Sequence, residues 1–94
     1  MKGIYKFYWD CGRMGDLDGI FVAEKKDVAK VIGKNVYFGE VLGKHSEIEG
    51  TVEKGDIELL SDDQDFIKKF VKIMGTDSTV SGYNPLDYYE EEDA

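Results

Sequence analysis

Residues 3–11 alternate between two sets of side chains, and this alternation constrains the fold more than any other feature. In an extended strand, one face would carry Tyr5, Phe7, Trp9 and Cys11, and the opposite face would carry Ile4, Lys6, Tyr8 and Asp10. Turn-forming residues follow at Gly12, Gly15, Asp16, Asp18 and Gly19, and residues 19–23 again have the composition of a strand. Two strands this close in sequence predict an antiparallel hairpin.

The rest of the chain contains two helical patterns separated by three β-rich stretches. Val28, Val31 and Ile32 recur at helical spacing in residues 24–32, and strand-forming residues follow at 35–42, 47–53 and 56–60. A capping-box pattern of Ser61 and Gln64 opens the second helix, and Gly75 closes it. Its apolar stripe consists of Phe66, Ile67, Phe70, Val71 and Met74, of which we expect Phe66, Phe70 and Met74 to enter the core.

The element order is therefore β-β-α-β-β-β-α. This order predicts an α+β fold, with a mainly antiparallel sheet of about five strands and two helices packed on one face. The 94 residues leave room for one domain, which we assign to residues 1–86, followed by an acidic, tyrosine-rich C-terminal tail at residues 87–94. A domain of this size has modest stability, which leaves open a homo-oligomer that buries more surface.

Charge and composition restrict the function more than they define it. With 20 acidic and 12 basic side chains the net charge is −8, which disfavours direct nucleic-acid binding. A lone cysteine and the absence of a long apolar stretch favour a cytoplasmic protein that does not enter membranes. One cysteine and one histidine strongly disfavour a zinc site. Since we find no cofactor motif and no catalytic residues, we expect a non-enzymatic protein without a metal or cofactor.

Two loops gather basic or flexible donors in this acidic chain. Arg13 and Met14 lie between Gly12 and Gly15, whose backbone freedom suits an anion-binding nest. A second loop contains Lys44, His45 and Ser46, although neither loop matches a phosphate-loop template. The plainer alternatives are a hairpin turn whose arginine pairs with a local aspartate, and an exposed turn without a ligand.

The C-terminal segment, residues 83–93, combines three tyrosines, one proline and a run of carboxylates that ends with Glu90–Asp93. Tyrosine offers a large contact area at low entropic cost, so this segment suits an interface. Docking on its own sheet, on a second copy or on a basic partner would each account for the composition. The sequence does not decide among them.

Two functions follow from these features. In the first, the protein sequesters an anionic small molecule, a phosphate-bearing ligand such as a nucleotide signal. The residues expected to bind it are Arg13, Met14, Lys44, His45 and Ser46, with Trp9 and Tyr37 stacking on a base. In the alternative, the acidic surface mimics nucleic acid and inhibits a basic protein partner. In size, acidity and lack of catalytic motifs the chain resembles the small accessory proteins that bacteriophages and mobile elements encode, some of which counter host defences.

Overall fold

Six strands and two α-helices are the main elements of residues 1–89, the part of the chain that the computed structural model describes. Their order is β1 (Lys2–Asp10), β2 (Asp16–Glu24), α1 (Lys25–Val31), β3 (Asn35–Gly39), β4 (Ile48–Thr51), β5 (Ile57–Ser61), α2 (Gln64–Met74) and β6 (Thr79–Gly82). The α+β class and the predicted order of the first seven elements are confirmed. The sixth strand was not predicted, because its four residues are small or polar and show no clear alternation. None of the helices within these residues is long and apolar enough to cross a bilayer.

The strands form two antiparallel sheets. Four strands are ordered β5-β1-β2-β6, and β3 pairs with β4 in a separate two-stranded sheet. The predicted hairpin of β1 and β2 is confirmed, with an unbroken register from Lys2↔Glu24 to Asp10↔Asp16. The structure thus divides six strands into four and two, where the sequence predicted one sheet of about five. The β3–β4 hairpin packs over a face of the larger sheet, because Val36 and Ile48 bury their side chains there.

The main core lies between the four-stranded sheet, the β3–β4 hairpin and α1. Phe7, Leu17 and Phe21 of the sheet are fully buried, as are Val31 of α1 and Val36 of β3. The side chains that the sequence placed on one face of β1 therefore form the centre of the fold.

Helix α2 packs on the opposite face of the sheet from α1. Ile67 contacts Ile4 and Val22, which alternate with the core-facing residues of β1 and β2. The prediction that both helices share one face was wrong in this detail, because β1 carries apolar side chains on both faces and each face has to be covered.

The core-facing residues of α2 also differ from the prediction. Ile67 is 3% exposed, whereas Phe66 and Met74 are 51% and 47% exposed, so these two do not enter the core. The helix is capped by Asp63, whose carboxylate accepts hydrogen bonds from two backbone N–H groups of the first turn, and not by Ser61. The predicted end is confirmed, since Gly75 adopts a left-handed conformation with φ of 74°.

The C-terminal segment folds back on the β3–β4 hairpin. Buried Asn84 accepts a hydrogen bond from the Leu86 N–H and donates one to Thr79. The Tyr37 N–H donates to the carbonyl of Tyr88, and the ring of Tyr88 packs 4.6 Å from that of Phe38. The first residues of the predicted tail therefore contact the domain, whereas the acidic run Glu90–Asp93 lies outside the described residues.

Candidate functional site

A cleft of 340 Å³ separates the end of the β1–β2 hairpin from strand β4. One wall consists of five consecutive residues, Glu47 to Thr51, and the other of Trp9, Asp10, Cys11 and Met14. This volume is at the lower end of the range for ligand-binding clefts. The two walls are about 40 residues apart in sequence, so the cleft exists only because the β3–β4 hairpin folds over the sheet.

Trp9 is held in one orientation beside the cleft. Its indole N–H donates to a carboxylate oxygen of Asp56 at 2.7 Å, and the same oxygen accepts from the Glu53 N–H at 2.8 Å. The indole also packs edge-on against Phe38, with ring centres 5.4 Å apart. A Cβ atom on Gly50 would lie 3.4 Å from the indole ring, an ordinary van der Waals distance, so β4 lies directly against Trp9. The aromatic wall is therefore preorganised.

The cleft has a negative electrostatic character. Among the described residues, three carboxylates line it, those of Asp10, Glu47 and Glu49, and no basic side chain does. Partial burial raises the pKa of the Cys11 thiol, with Asp10 and Asp16 adding to the shift. The raised pKa shows that a further negative charge is disfavoured at Cys11, and it leaves the thiol a poor nucleophile.

The structure brings the two predicted ligand loops next to each other. A Cβ atom on Gly15 would lie 3.8 Å from the Leu42 side chain, and Met14 and Glu47 line the same cleft. His45 is the one non-glycine residue with positive φ, at 67°, within the part of the chain described.

Of the predicted site residues, only Trp9 and Met14 line the cleft. Arg13, Lys44 and His45 are exposed on the adjoining loops, and Ser46 is half-buried there. Within residues 1–89, no ion pair includes Arg13, Lys44 or His45, since the pairs formed are Met1–Glu24, Lys2–Asp77 and Lys25–Asp62.

Tyr37 belongs to a second cleft, of 760 Å³, on the other side of the hairpin, lined by Gly33, Lys34, Asn35, Tyr37, Asp87, Tyr88 and Tyr89. Sequence reasoning therefore placed Trp9 and Tyr37 at one site, whereas each lines a different cleft.

Sequence reasoning missed the acidic wall of the smaller cleft. Glu47 and Glu49 flank buried Ile48, an alternation that places both carboxylates on one side of a strand. That pattern was a usable signal, but it did not show that the strand would face Trp9. Among the described residues, no three histidine, cysteine or acidic side chains are grouped so that they could hold a metal ion.

The fold and the cleft define an acidic α+β domain with a groove beside one strand. No protein-family model matches the chain, and no curated protein or solved structure is significantly similar to it.

Proposed function

We propose that the protein is a non-enzymatic binding module whose cleft receives a positively charged segment of a partner protein. The observation that carries this proposal is the lining of the cleft, in which three carboxylates adjoin the fixed indole of Trp9. Carboxylates make charge-assisted hydrogen bonds with arginine and lysine, and an indole adds a cation–π attraction. The groove therefore offers carboxylates to basic side chains along β4 and an aromatic surface next to that strand.

The charge of the whole chain supports the same partner. A net charge of −8 attracts a basic surface over about a Debye length and accelerates association at low salt. An acidic domain seated on a basic groove would also exclude nucleic acid from that groove. The protein would then act as an inhibitor of a nucleic-acid-binding protein.

Binding of an arginine-rich peptide of about ten residues tests the proposal, with affinity measured by calorimetry. The variant Glu47→Gln/Glu49→Gln should weaken binding by at least about tenfold, because it removes two carboxylates that the cations contact. The matched control Glu58→Gln removes an exposed carboxylate of β5, outside the cleft, and should change the affinity by less than about twofold. Equal losses per carboxylate removed in the two variants would show that the peptide senses only the overall charge.

The C-terminal acidic run offers a second contact for the same partner. Deleting residues 90–94 should lower the association rate at low salt, because Glu90–Asp93 carry four of the chain's negative charges. The deletion has to start after Tyr89, since Asp87 accepts a hydrogen bond from Thr79 and Tyr88 packs on Phe38. An unchanged association rate would exclude the run from the contact.

A second candidate function is the sequestering of a phosphate-bearing small molecule. It is favoured by the adjoining loops that carry Arg13, Lys44 and His45, none of which is paired with a carboxylate in the part of the chain described. The carboxylates of the cleft oppose it, because they repel a phosphate at this end of the molecule.

Thermal shift against a panel of nucleotides tests this second function. A ligand at 100 times its Kd stabilises the fold by about 2.7 kcal/mol, and Arg13→Ala should abolish that shift. The control Lys26→Ala, another exposed cation that forms no ion pair within residues 1–89, should preserve it. The two functions also predict opposite effects of Glu47→Gln/Glu49→Gln, which should strengthen phosphate binding and weaken binding of a basic peptide.

A further inference from the structure

Strand β4 has one paired edge and one open edge. It pairs with β3 in a register that sets Glu49 opposite Tyr37 and Thr51 opposite Asn35. The Tyr37 N–H donates to the carbonyl of Tyr88, so the peptide groups of Tyr37 point away from β4.

In an antiparallel pair, the N–H and C=O groups of two opposed residues either point towards each other or point away from each other. The peptide groups of Glu49 therefore point away from β3, and those of Thr51, two residues further, do the same. The hydrogen bond from the Val52 N–H to the carbonyl of Lys34, at 2.9 Å, fits this alternation, because Val52 points towards β3.

The open edge of β4 borders the cleft. The five residues that form one wall of the cleft run consecutively from Glu47 to Thr51 and include all of β4. Within residues 1–89, no loop or neighbouring element donates a backbone hydrogen bond to Glu49 or Thr51, or accepts one from them. An open edge of this kind offers a row of donors and acceptors to another strand.

We infer that an extended segment of the partner binds in the cleft as an added strand alongside β4. The positive charge of the segment rests on the proposed function, whereas its extended conformation follows from the geometry of the open edge. Up to four main-chain hydrogen bonds would join the segment to Glu49 and Thr51.

The two faces of β4 specify the side chains of that segment. Glu49 and Thr51 are exposed on one face, whereas Ile48 is buried on the other and Gly50 lies against Trp9. Alternate residues of an added strand would therefore lie beside Glu49 or beside Trp9. Lysine or arginine suits the first position and an aliphatic residue suits the second, so the recognised pattern alternates basic and apolar residues.

Calorimetry with an acetylated, amidated Lys-Val-Lys-Val-Lys peptide tests the inference. A second peptide has the same sequence but is N-methylated on alternate amides, so one edge of its backbone cannot donate hydrogen bonds while its side chains and charge stay the same. Either edge of the peptide could face β4, so the experiment uses two N-methylated forms, one for each set of alternate amides. One of the two N-methylated forms should bind at least about tenfold more weakly than the parent peptide, and the other should bind nearly as well.

A protein variant provides the reciprocal measurement. Thr51→Pro removes an N–H that points away from β3 and takes no part in β3–β4 pairing, so proline is tolerated at this edge. It should weaken binding by about tenfold, whereas the matched control Thr51→Ala keeps the N–H and should stay within about threefold. The N-methylated peptides need no variant, so they retain their value if Thr51→Pro destabilises the fold.

The outcomes separate this inference from the proposed function. Peptide binding that depends on Glu47 and Glu49 but is unaffected by either N-methylation would overturn strand addition and leave the cationic site standing. Peptide binding that depends on the main chain but not on the two carboxylates would keep strand addition and overturn the charge preference. Absence of binding by the parent peptide at millimolar concentration would overturn strand addition, whereas the proposed function would be overturned if the arginine-rich peptide also failed to bind.

Discussion

The substitution Gly19→Ala tests the packing of β2 against the chain that leaves β6. Gly19 lies opposite Gly82 in the sheet, and a Cβ atom on Gly19 would lie 2.0 Å from the carbonyl oxygen of Tyr83. A Cβ atom on Gly82 would lie 2.1 Å from the carbonyl oxygen of Asp18. Each glycine thus admits a backbone atom where any side chain would clash.

The cost of Gly19→Ala is set by what has to move. The obstructing atom belongs to the backbone, so it cannot swing aside as a side chain would, and the chain at Tyr83 has to retreat by about 1 Å. That shift breaks the 2.9 Å hydrogen bond from the Tyr83 N–H to the carbonyl of Asp18. Overpacking usually costs about 1 to 3 kcal/mol, and a rigid obstruction with a lost hydrogen bond places this variant at about 3 kcal/mol or more. For a domain of this size the Tm should fall by about 12 to 24 °C.

Thermal unfolding followed by circular dichroism measures this effect. The control Gly55→Ala places the same methyl group where no atom lies within 4 Å, and Gly55 does not have positive φ. It should change the stability by less than about 1 kcal/mol, since alanine there mainly restricts the unfolded chain. If Gly19→Ala melted within about 5 °C of the parent protein, the close approach of β2 and the chain after β6 would be refuted.

Three further predictions address α2, Cys11 and Glu24. Ile67→Ala should destabilise the protein by about 2 to 5 kcal/mol in urea unfolding, whereas Phe66→Ala should destabilise it by less than about 1 kcal/mol. A larger loss of stability for Phe66→Ala than for Ile67→Ala would mean that α2 packs through its other side. Because burial raises the pKa of Cys11, its thiol should react with a disulfide reagent at pH 8 more slowly than a cysteine in an unfolded peptide, and a faster reaction would contradict its surroundings. The hydrogen bond to the N-terminal ammonium lowers the pKa of Glu24, so an NMR titration should find a midpoint below 4.5. The stability that this contact adds should be present above pH 4.5 and lost as the pH falls through that lowered midpoint. Acetylation of the N-terminus should return the midpoint towards 4.5.

Much of the local structure was predictable because it depends on residues that are near one another in sequence. Alternation marked β1, helical spacing marked α1 and α2, and Gly75 marked the end of α2. Turn residues between β1 and β2 also identified their hairpin correctly. β6 was missed because short strands of small residues have no periodic signal.

The candidate site was predictable only in part. Sequence reasoning chose Arg13 and Lys44 as isolated donors in an acidic chain, and it chose Trp9 as an aromatic partner. The structure sets their two loops side by side but lines the adjacent cleft with Glu47 and Glu49. Counting charges identified the few basic side chains of an acidic protein, but it did not identify which side chains would line a cleft together with Trp9.

The sequence by itself determined the α+β class, the order of the first seven elements and the residues that share a face of each strand or helix. The tertiary structure decided which element covers each of those faces. Ile4 and Tyr5 both require burial, but whether α1 or α2 covers them depends on contacts between residues far apart in the chain. The cleft has the same origin, because periodicity specifies faces within an element, whereas the juxtaposition of Trp9 with β4 follows from how the β3–β4 hairpin packs on the sheet.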